Sequence, residues 1–587
     1  MNRVGIDVGG TFTDVVLLEP DGRLHATKVP TTPADRVIGA VAGFRKILEV
    51  SGAPADSVGF IGHGSTMATN MVVEGTGAKA ALVSTKGFRD ILELRRISRH
   101  DRADLYDLRF DNPRPLVARR YRFEVTERLD YRGNVITRLD LDQLARLADR
   151  IAATDVDAIA ISFLHAFINP SHEQEALRFL SERLPGKFLT ASHQVNPEIG
   201  EYERTSTTVL NAMLGPVCAR YIANLGGGLR GAGFNGELLF MQSNGGLAPA
   251  ELVAAQPVLL LESGPAGGVS AALRLSDRAQ LGDAILGDMG GTTFDVSLVR
   301  GGRPELRHGG LLHTYAVRAP TIDIDSIGAG GGSIAWIDAG GGVRIGPESA
   351  GADPGPACYG RGGTRPTVTD CNLILGHIDP GTFLEGSFKL DVAAALRAVE
   401  EHLAKPLGVS VTEAARTVRA VANALMAQAM RLMTIERGYD PREFNYLCFG
   451  GAGPVHALDL ARDLEIRRVV VPPVPGLFSA LGMLLADRQV DRQAALEHDL
   501  SGLGGRHERI TASRTGRGPC RAPLGGRLPD GFPPPAAPQA RPHRAVRAGA
   551  DGGGRDRRAA DRALRSDRAV LRGAAQPAFM GLSARHG

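Results

Sequence analysis

Apolar and polar residues alternate with period two at the very start of the chain, where Val4, Ile6 and Val8 mark one face of a strand. A Gly9-Gly10 turn follows, "VVLLE" returns, and Asp21-Gly22 turns the chain again into "LHATKV". The same pattern recurs far downstream: "AILGDM", a Gly290-Gly291 turn, "VSLVR", a Gly301-Gly302 turn and "RPELRH". Each set predicts three antiparallel strands joined by hairpins. Aligned, both copies read D-x-G-G-T-x-x-D-V-x-L. Asp7 matches Asp288, Thr11 matches Thr292 and Asp14 matches Asp295, with an offset of 281 residues.

Between and beyond the copies the pattern is mixed α/β. "ADRVIGAVAGFRKILEV" has apolar residues at helical spacing, "DAIAISFLH" is a short buried strand, and "EIGEYERTSTTVLNAMLGPVCARYIANL" predicts a long helix bent near Gly215-Pro216. Residues 328–363 are glycine-rich but interleave Ile, Trp, Val and Cys, so ordered loops needing burial are expected there rather than a linker. A helix over 411–437 opens on a Ser410/Glu413 capping box, shows Val418, Val421, Leu425, Leu432 and Met433 as its apolar face, and stops at Gly438. The strand "NYLCF", a glycine turn entering a helix at Pro454, and the apolar helix "PGLFSALGMLLAD" complete the pattern. The expected division is 1–200, 201–487 and a tail, 488–587.

Length and composition fit a soluble, multidomain protein: 587 residues, 43% hydrophobic and 22% charged. No apolar run is long enough to span a bilayer, and no signal region precedes the first strand, so a cytoplasmic location is expected. The five cysteines are dispersed without a C-x-x-C pair, as reduced thiols would be. The overall charge of +4 conceals an asymmetry. Residues 501–587 hold 17 Arg and 6 acidic residues, a net +11, which leaves −7 for the first 500. That tail has one Ile and two Val and cannot build a core. Its lack of Lys and near lack of aromatics argue against nucleic-acid binding and for a GC-rich gene read out of frame.

The repeated turn carries chemistry. Gly9-Gly10 and Gly290-Gly291 let backbone N–H groups approach an anion, and the hydroxyls of Thr11, Thr13, Thr292 and Thr293 can add donors. Asp7 and Asp288 would repel bare phosphate, but they suit a hard divalent cation such as Mg²⁺ that keeps several waters. Two such hairpins facing each other would clamp a Mg-nucleotide from both sides. The third turn, Gly450-Gly451-Ala452-Gly453, offers bare backbone to the nucleoside. No P-loop signature is present.

This arrangement resembles the actin-like ATPase superfamily, which implies two duplicated ribonuclease-H-like domains closing on ATP. By that resemblance Asp7 and Asp288 hold hydrated Mg²⁺. "ESGPAGG" (262–268) is similar to the first connecting helix, where Glu262 orients water or metal or is a carboxylate at a helix N-terminus, and "SALGM" (479–483) to the second. "GHGSTMATNMVVEGTGAKAALVSTKGFRDILELRR" (62–96), "IGAGGGSIAWID" (327–338), "GPESAGADPGPACYGRGGTRPTVTDCNLILG" (346–376) and "CFGGAGPVHA" (448–457) resemble the hydantoinase/oxoprolinase family, its hydantoinase A (N-methylhydantoinase A-type) subunit in particular. The resemblance covers residues 3–487. Ser65 and Cys371 replace the more usual Thr and Ala, and the family's further C-terminal domain is unlike the Arg-rich tail.

The family implies an ATP-dependent hydrolase that phosphorylates the carbonyl oxygen of a cyclic amide or imide, working with a hydantoinase B-type subunit in a hetero-oligomer. A ketone carboxylase subunit, a small-molecule kinase and an inactive nucleotide-binding chain are the alternatives. Asp14 and Asp295, across the hairpins from Asp7 and Asp288, tune the metal or activate water, or else hold the turn through backbone amides. His63 is a substrate or phosphate contact or a loop histidine, whereas His456 reads as a packing or capping group.

Overall fold

The computed structural model describes residues 1–491 apart from 11, 33–34, 97–105, 107–109, 111, 280 and 382–387, and apart from the side chains of 277–279. The expectation for the tail lies outside the described residues, except for its first few positions.

The chain opens with β1 (Asn2–Val8), β2 (Phe12–Leu18) and β3 (Leu24–Pro30), each antiparallel to the next. Helix α1 (Arg36–Ser51) follows, its first turn capped by Asp35 and its end by Gly52 in the left-handed region. It lies close on the strands because it presents Gly39 and Gly43; a Cβ at Gly43 would be 2.6 Å from Val15. Phe44, on the same face, is fully buried edge-on to Phe234. Truncating such a ring to Ala costs about 3–5 kcal/mol. Next, β4 (Val58–Ser65) runs parallel to β1.

An insertion then builds its own parallel sheet from β5 (Ala80–Thr85), β6 (Arg122–Val125), β7 (Ala158–Ser162) and β8 (Phe188–Ala191), in the order β8-β7-β5-β6. Every residue of β7 is buried, as its continuous apolar run requires. Helix α2 (Glu201–Gly231) is the expected long helix and carries Pro216 within it. Strands β9 (Glu237–Met241) and β10 (Leu247–Pro249) rejoin the first sheet, whose order is β10-β9-β4-β1-β2-β3. That sheet therefore draws on residues from both sides of position 200.

After α3 (Ser263–Ala279) the second copy begins with β11 (Ala284–Met289) and β12 (Phe294–Arg300). Its third strand departs from expectation. Only the stub β13 (Arg303–Pro304) pairs with β12, because the chain leaves the sheet as the hairpin β14 (Leu306–Leu312) and β15 (Tyr315–Ile322). Then β16 (Ile324–Ile327) returns to β12 and completes the third position.

The glycine-rich stretch forms a hairpin, β17 (Ser333–Ile337) with β18 (Val343–Ser349). Its Ile334 and Ile345 are buried as expected, but Trp336 is 45% exposed, its indole N–H donating to the Gly346 carbonyl at 2.8 Å. Helix α4 (Val411–Met433) is capped by Ser410, and its buried stripe is rich in Ala and Met, including Ala415, Ala422, Met426 and Met430. Val418 and Met433 belong to that stripe, while Val421 and Leu425 flank it and Leu432 is exposed.

Strand β19 (Asn445–Phe449), helix α5 (Gly453–Asp463), strand β20 (Val469–Val470) and helix α6 (Phe478–Leu485) close the fold. The second sheet runs β13-β12-β11-β19-β20. In both sheets three antiparallel strands continue into parallel ones in the order 3-2-1-4-5, so the architecture is a duplicated α/β unit of the ribonuclease-H-like, actin-like kind. One buried cluster joins the copies: Val16, Phe60 and Met241 of the first sheet, Leu286, Val299 and Leu447 of the second, and the apolar faces of α3 and α6. Among the described residues no helix is long and apolar enough to cross a membrane.

Candidate nucleotide and metal site

The two hairpin turns are built alike. Gly9 N–H donates to the Phe12 carbonyl at 3.1 Å, and 281 residues later Gly290 N–H donates to the Thr293 carbonyl at 3.1 Å. In each hairpin the aspartates are direct register partners, Asp7 with Asp14 and Asp288 with Asp295. Gly10, Gly291 and Thr292 form exposed rims, and a Cβ at Gly10 or Gly290 would touch nothing within 4 Å. Thr11 lies outside the described residues. Thr13 belongs elsewhere than the sequence reading put it. Being next to Asp14 on a strand, it faces the opposite side of the sheet, where it is fully buried with its hydroxyl 3.0 Å from that of Thr31. The Thr31 hydroxyl also lies 3.0 Å from the Gly9 carbonyl and can donate to it, so this pair braces the turn from behind.

The four carboxyls are each half-buried and lie near enough for their charges to interact. Burial raises Asp7 well above the carboxylate range, and the charges of Asp14 and Asp288 add to that. Burial likewise lifts Asp288 to about 7, with Asp295 contributing and the Ser479 hydroxyl, 3.3 Å away, opposing. Asp295 is lifted to about 6 by burial, against donors from Ser326 at 2.5 Å and Thr293 at 3.4 Å. Among the described residues, Asp14 is thus held by Lys28 and Asp295 by Ser326 and Thr293, all through side chains. Oδ1 of Asp7 is buried without a hydrogen-bond partner. Buried carboxyls in such a state are suited to a hard cation that would replace their protons.

Lys28 is the residue the sequence reading missed. It sits opposite Asp14 in the β2/β3 register, forms an ion pair with it, lies 5.2 Å from the Phe12 ring centre, and donates to the Gly476 carbonyl at 3.3 Å. It therefore ties the first hairpin to the loop beside the third glycine turn. The signal was present: the Asp21-Gly22 turn sets the β2/β3 register, and that register puts Lys28 across from Asp14.

The third turn abuts the second hairpin. Gly450, at φ 84°, donates to the Pro475 carbonyl at 2.9 Å, and a side chain there would collide with Asp288 and the Met289 carbonyl. Gly451 is exposed with nothing within 4 Å of a would-be Cβ, and Gly453 is buried at the start of α5. Residues 330–332 lie against the rear of the second hairpin, Gly331 N–H donating to Gly290 O at 2.9 Å and Gly332 N–H to Gly291 O at 2.7 Å. A Cβ on Gly330 would be 2.5 Å from the Thr292 nitrogen, which explains the glycines of "GAGGG".

Glu262 caps α3 from a left-handed backbone conformation (φ 55°), with its N–H donating to Thr69 Oγ1 at 2.9 Å. Its carboxylate accepts from Arg307 at 2.6 Å. Burial raises its pKa, and Arg307 opposes that. Two residues on, a Cβ at Gly264 would be 3.9 Å from Asp7 Oδ1, so the start of α3 borders the first hairpin. His63 is a correction: it lies within β4, not in a loop, and is buried against Phe240 with Nε2 2.8 Å from the Tyr221 hydroxyl. Burial pushes it down to about 3, so it is a neutral core histidine. His456 packs as expected, buried between Asn372 and Asn423. Four of the cysteines, 218, 358, 371 and 448, are buried free thiols; Cys520 lies outside the described residues.

Comparison with known proteins agrees with this geometry. Family models described as "Hydantoinase/oxoprolinase N-terminal region" and "Hydantoinase/oxoprolinase" match residues 3–184 and 204–492. The caprolactamase subunit alpha of Pseudomonas jessenii is 39% identical over 498 residues, covering 84% of this chain and 71% of its own. The crystal structure of the ATP-dependent caprolactamase superposes with a TM-score of 0.72 at 38% identity, over 83% of this chain and 71% of that one. The acetophenone carboxylase gamma subunit of Aromatoleum aromaticum is 34% identical over 510 residues, 83% of this chain and 68% of its own. A nucleotide-free structure of acetone carboxylase, studied for ATP-dependent acetone carboxylation, gives a TM-score of 0.74 at 29% identity, over 83% and 70% of the two chains. The chain belongs to the hydantoinase/oxoprolinase family.

Proposed function

We propose that this chain is the ATP-using subunit of a cyclic amidohydrolase, binding Mg-ATP between its two hairpins and phosphorylating the carbonyl oxygen of a small cyclic amide or imide. The observation that carries the reading is that the aspartates of the duplicated turns lie near enough for the Asp288 charge to act on Asp7, whose Oδ1 has no hydrogen-bond partner. Among the described residues no group of three or more His, Cys, Asp or Glu side chains is arranged to hold a metal ion. Asp7 and Asp288 would hold Mg²⁺, a hard cation that keeps several waters and so needs few protein ligands. When bound, that ion offsets the charge of the phosphates during transfer.

The exposed turn amides of Gly10, Gly291 and Thr292 receive the phosphates, while the Gly9 and Gly290 amides close the turns. Lys28 adds a cation, and Gly451 leaves room for the nucleoside, in a turn whose shape Gly450 and Gly453 permit by packing closely on the second hairpin. Asp14 and Asp295 keep their hairpin partners oriented. The carbonyl oxygen attacks the γ-phosphorus, the bond to the β,γ-bridging oxygen breaks, and ADP leaves with that electron pair. Water then adds to the activated carbon, the ring C–N bond breaks, and nitrogen takes a proton. The product is an acyl phosphate; a second water attacks its carbonyl carbon, the C–O bond to the phosphorus-bound oxygen breaks, and phosphate departs with the former carbonyl oxygen, leaving the carboxylate. Positioning and electrostatics carry most of such a transfer, so few reactive side chains are needed.

The subunit names of the relatives support a multi-subunit assembly, and the partner we propose for it is a hydantoinase B-type chain. A second reading, supported by the TM-score of 0.74 to acetone carboxylase, keeps the same phosphoryl transfer but delivers it to a ketone for carboxylation. Incubation with ATP and a lactam carrying ¹⁸O in its carbonyl separates these. The hydrolase reading expects ¹⁸O in the released phosphate together with ring-opened amino acid. ATP turnover that instead requires ketone and bicarbonate contradicts it.

A further inference from the structure

Beside the first hairpin lies a cavity walled by Leu261, Leu312, Val317 and Ala319, with Gly309 and Gly310 along its strand edge and the Glu262–Arg307 pair at its polar side. Glu262 is close enough to Asp295 for its charge to act there, and the helix it caps borders Asp7.

The charge in this cavity is already balanced. Arg307 is the cation that lines it, and that guanidinium is engaged by Glu262 at 2.6 Å and faces Asp323 at 3.9 Å. Asp323 in turn pairs with Arg437, which is also 3.8 Å from Glu305. Arg318, on β15 between the lining residues Val317 and Ala319, alternates away to the Ile199 carbonyl and Glu198. His308, between Arg307 and Gly309, is exposed. A substrate carboxylate entering here would meet an arginine already matched by two carboxylates, in a pocket with apolar walls. It would lose its hydration and gain no free counter-charge.

Resting on the function proposed above, we infer that the Glu262–Arg307 pair selects an uncharged acceptor, a neutral lactam or imide ring, and rejects ring substrates bearing a carboxylate. The ring's apolar edge lies on Leu312, Val317 and Ala319, while Glu262 and Arg307 offer an acceptor and donors to the amide N–H and C=O. A pocket of this kind discriminates by the cost of an unmatched buried charge more than by shape.

A matched pair of ligands tests this. 2-Pyrrolidinone and 5-oxoproline share the five-membered lactam ring and differ by one carboxylate. Their affinities are measured by calorimetry on the full chain with Mg²⁺ and a non-hydrolysable ATP analogue. The expected result is at least tenfold tighter binding of 2-pyrrolidinone by the wild type, with the gap closing or reversing in Glu262→Gln, where Arg307 is released. Equal or tighter binding of 5-oxoproline by the wild type overturns the inference whether or not the variant folds. Binding of neither ring, with nucleotide still bound, also overturns it and leaves the nucleotide reading standing. Failure of Mg-nucleotide to bind sinks both.

Discussion

Gly482 and Gly267 meet backbone to backbone where the two connecting helices cross: a Cβ on Gly482 would sit inside the Gly267 carbonyl. The same helix, α6, presses its Ala480 and Met483 carbonyls onto Gly5 and Gly62 of the first sheet. The contact between the duplicated halves therefore depends on four positions without side chains. At Gly451, by contrast, a Cβ would meet nothing within 4 Å, and the proposed function gives that space to the nucleoside.

This contrast separates structural from functional glycines. Gly482→Ala is expected to lower stability by about 1–3 kcal/mol through overpacking, read as a lower urea midpoint with an unchanged slope. Gly451→Ala is expected to stay within about 0.5 kcal/mol of wild type while weakening nucleotide protection at least tenfold. Equal stability losses in the two variants contradict the assignment.

The buried aspartates make stability depend on pH with a definite sign. Asp288 and Asp295 titrate near 7 and 6 in the fold against an ordinary value of 3.8. Between about pH 4 and 7 the folded, cation-free protein holds protons that the unfolded chain has released, so its stability falls as pH rises through that window. On the proposed function Mg²⁺ with nucleotide would replace those protons, and its stabilising effect is expected to grow from pH 5 to pH 8. Lys28→Met, which leaves Asp14 without its partner cation, is expected to cost more at pH 8 than at pH 5, and adding Asp14→Asn is expected to recover most of the loss. Thermal midpoints at the two pH values check each sign. A cation-free midpoint that rises steadily from pH 5 to 8 contradicts the account.

Much of this site was legible before the coordinates because hairpins are local. The alternation of Val4, Ile6 and Val8 and the tight glycine turn set the register that pairs Asp7 with Asp14, and likewise Asp288 with Asp295. The same alternation puts Thr13 on the far face, a consequence the motif-based reading overlooked. Long-range features were harder to see. Lys28 on an edge strand reads as a solvated charge until the Gly476 loop, 448 residues away, arrives beside it. His63 was hidden by the glycines around it, which suggest a loop but in fact let α6 lie against β4. In α4 the larger residues Val421, Leu425 and Leu432 drew attention, whereas close packing selected Ala and Met for the buried stripe. Trp336 is expected inside as one of the apolar residues interleaved with the glycines of 328–363; its indole nitrogen is satisfied at the surface by Gly346.

The central claim is that Asp7 and Asp288 hold one Mg-nucleotide from opposite hairpins. Thermal unfolding with ATP, in Mg²⁺ or in EDTA, for wild type, Asp7→Asn and Asp288→Asn tests it most directly. The expected result is a nucleotide-dependent rise in the wild-type midpoint that vanishes in EDTA and is lost in both variants, each of which still unfolds cooperatively without ligand. Protection that persists in EDTA, or that survives in either variant at the wild-type level, would contradict the claim.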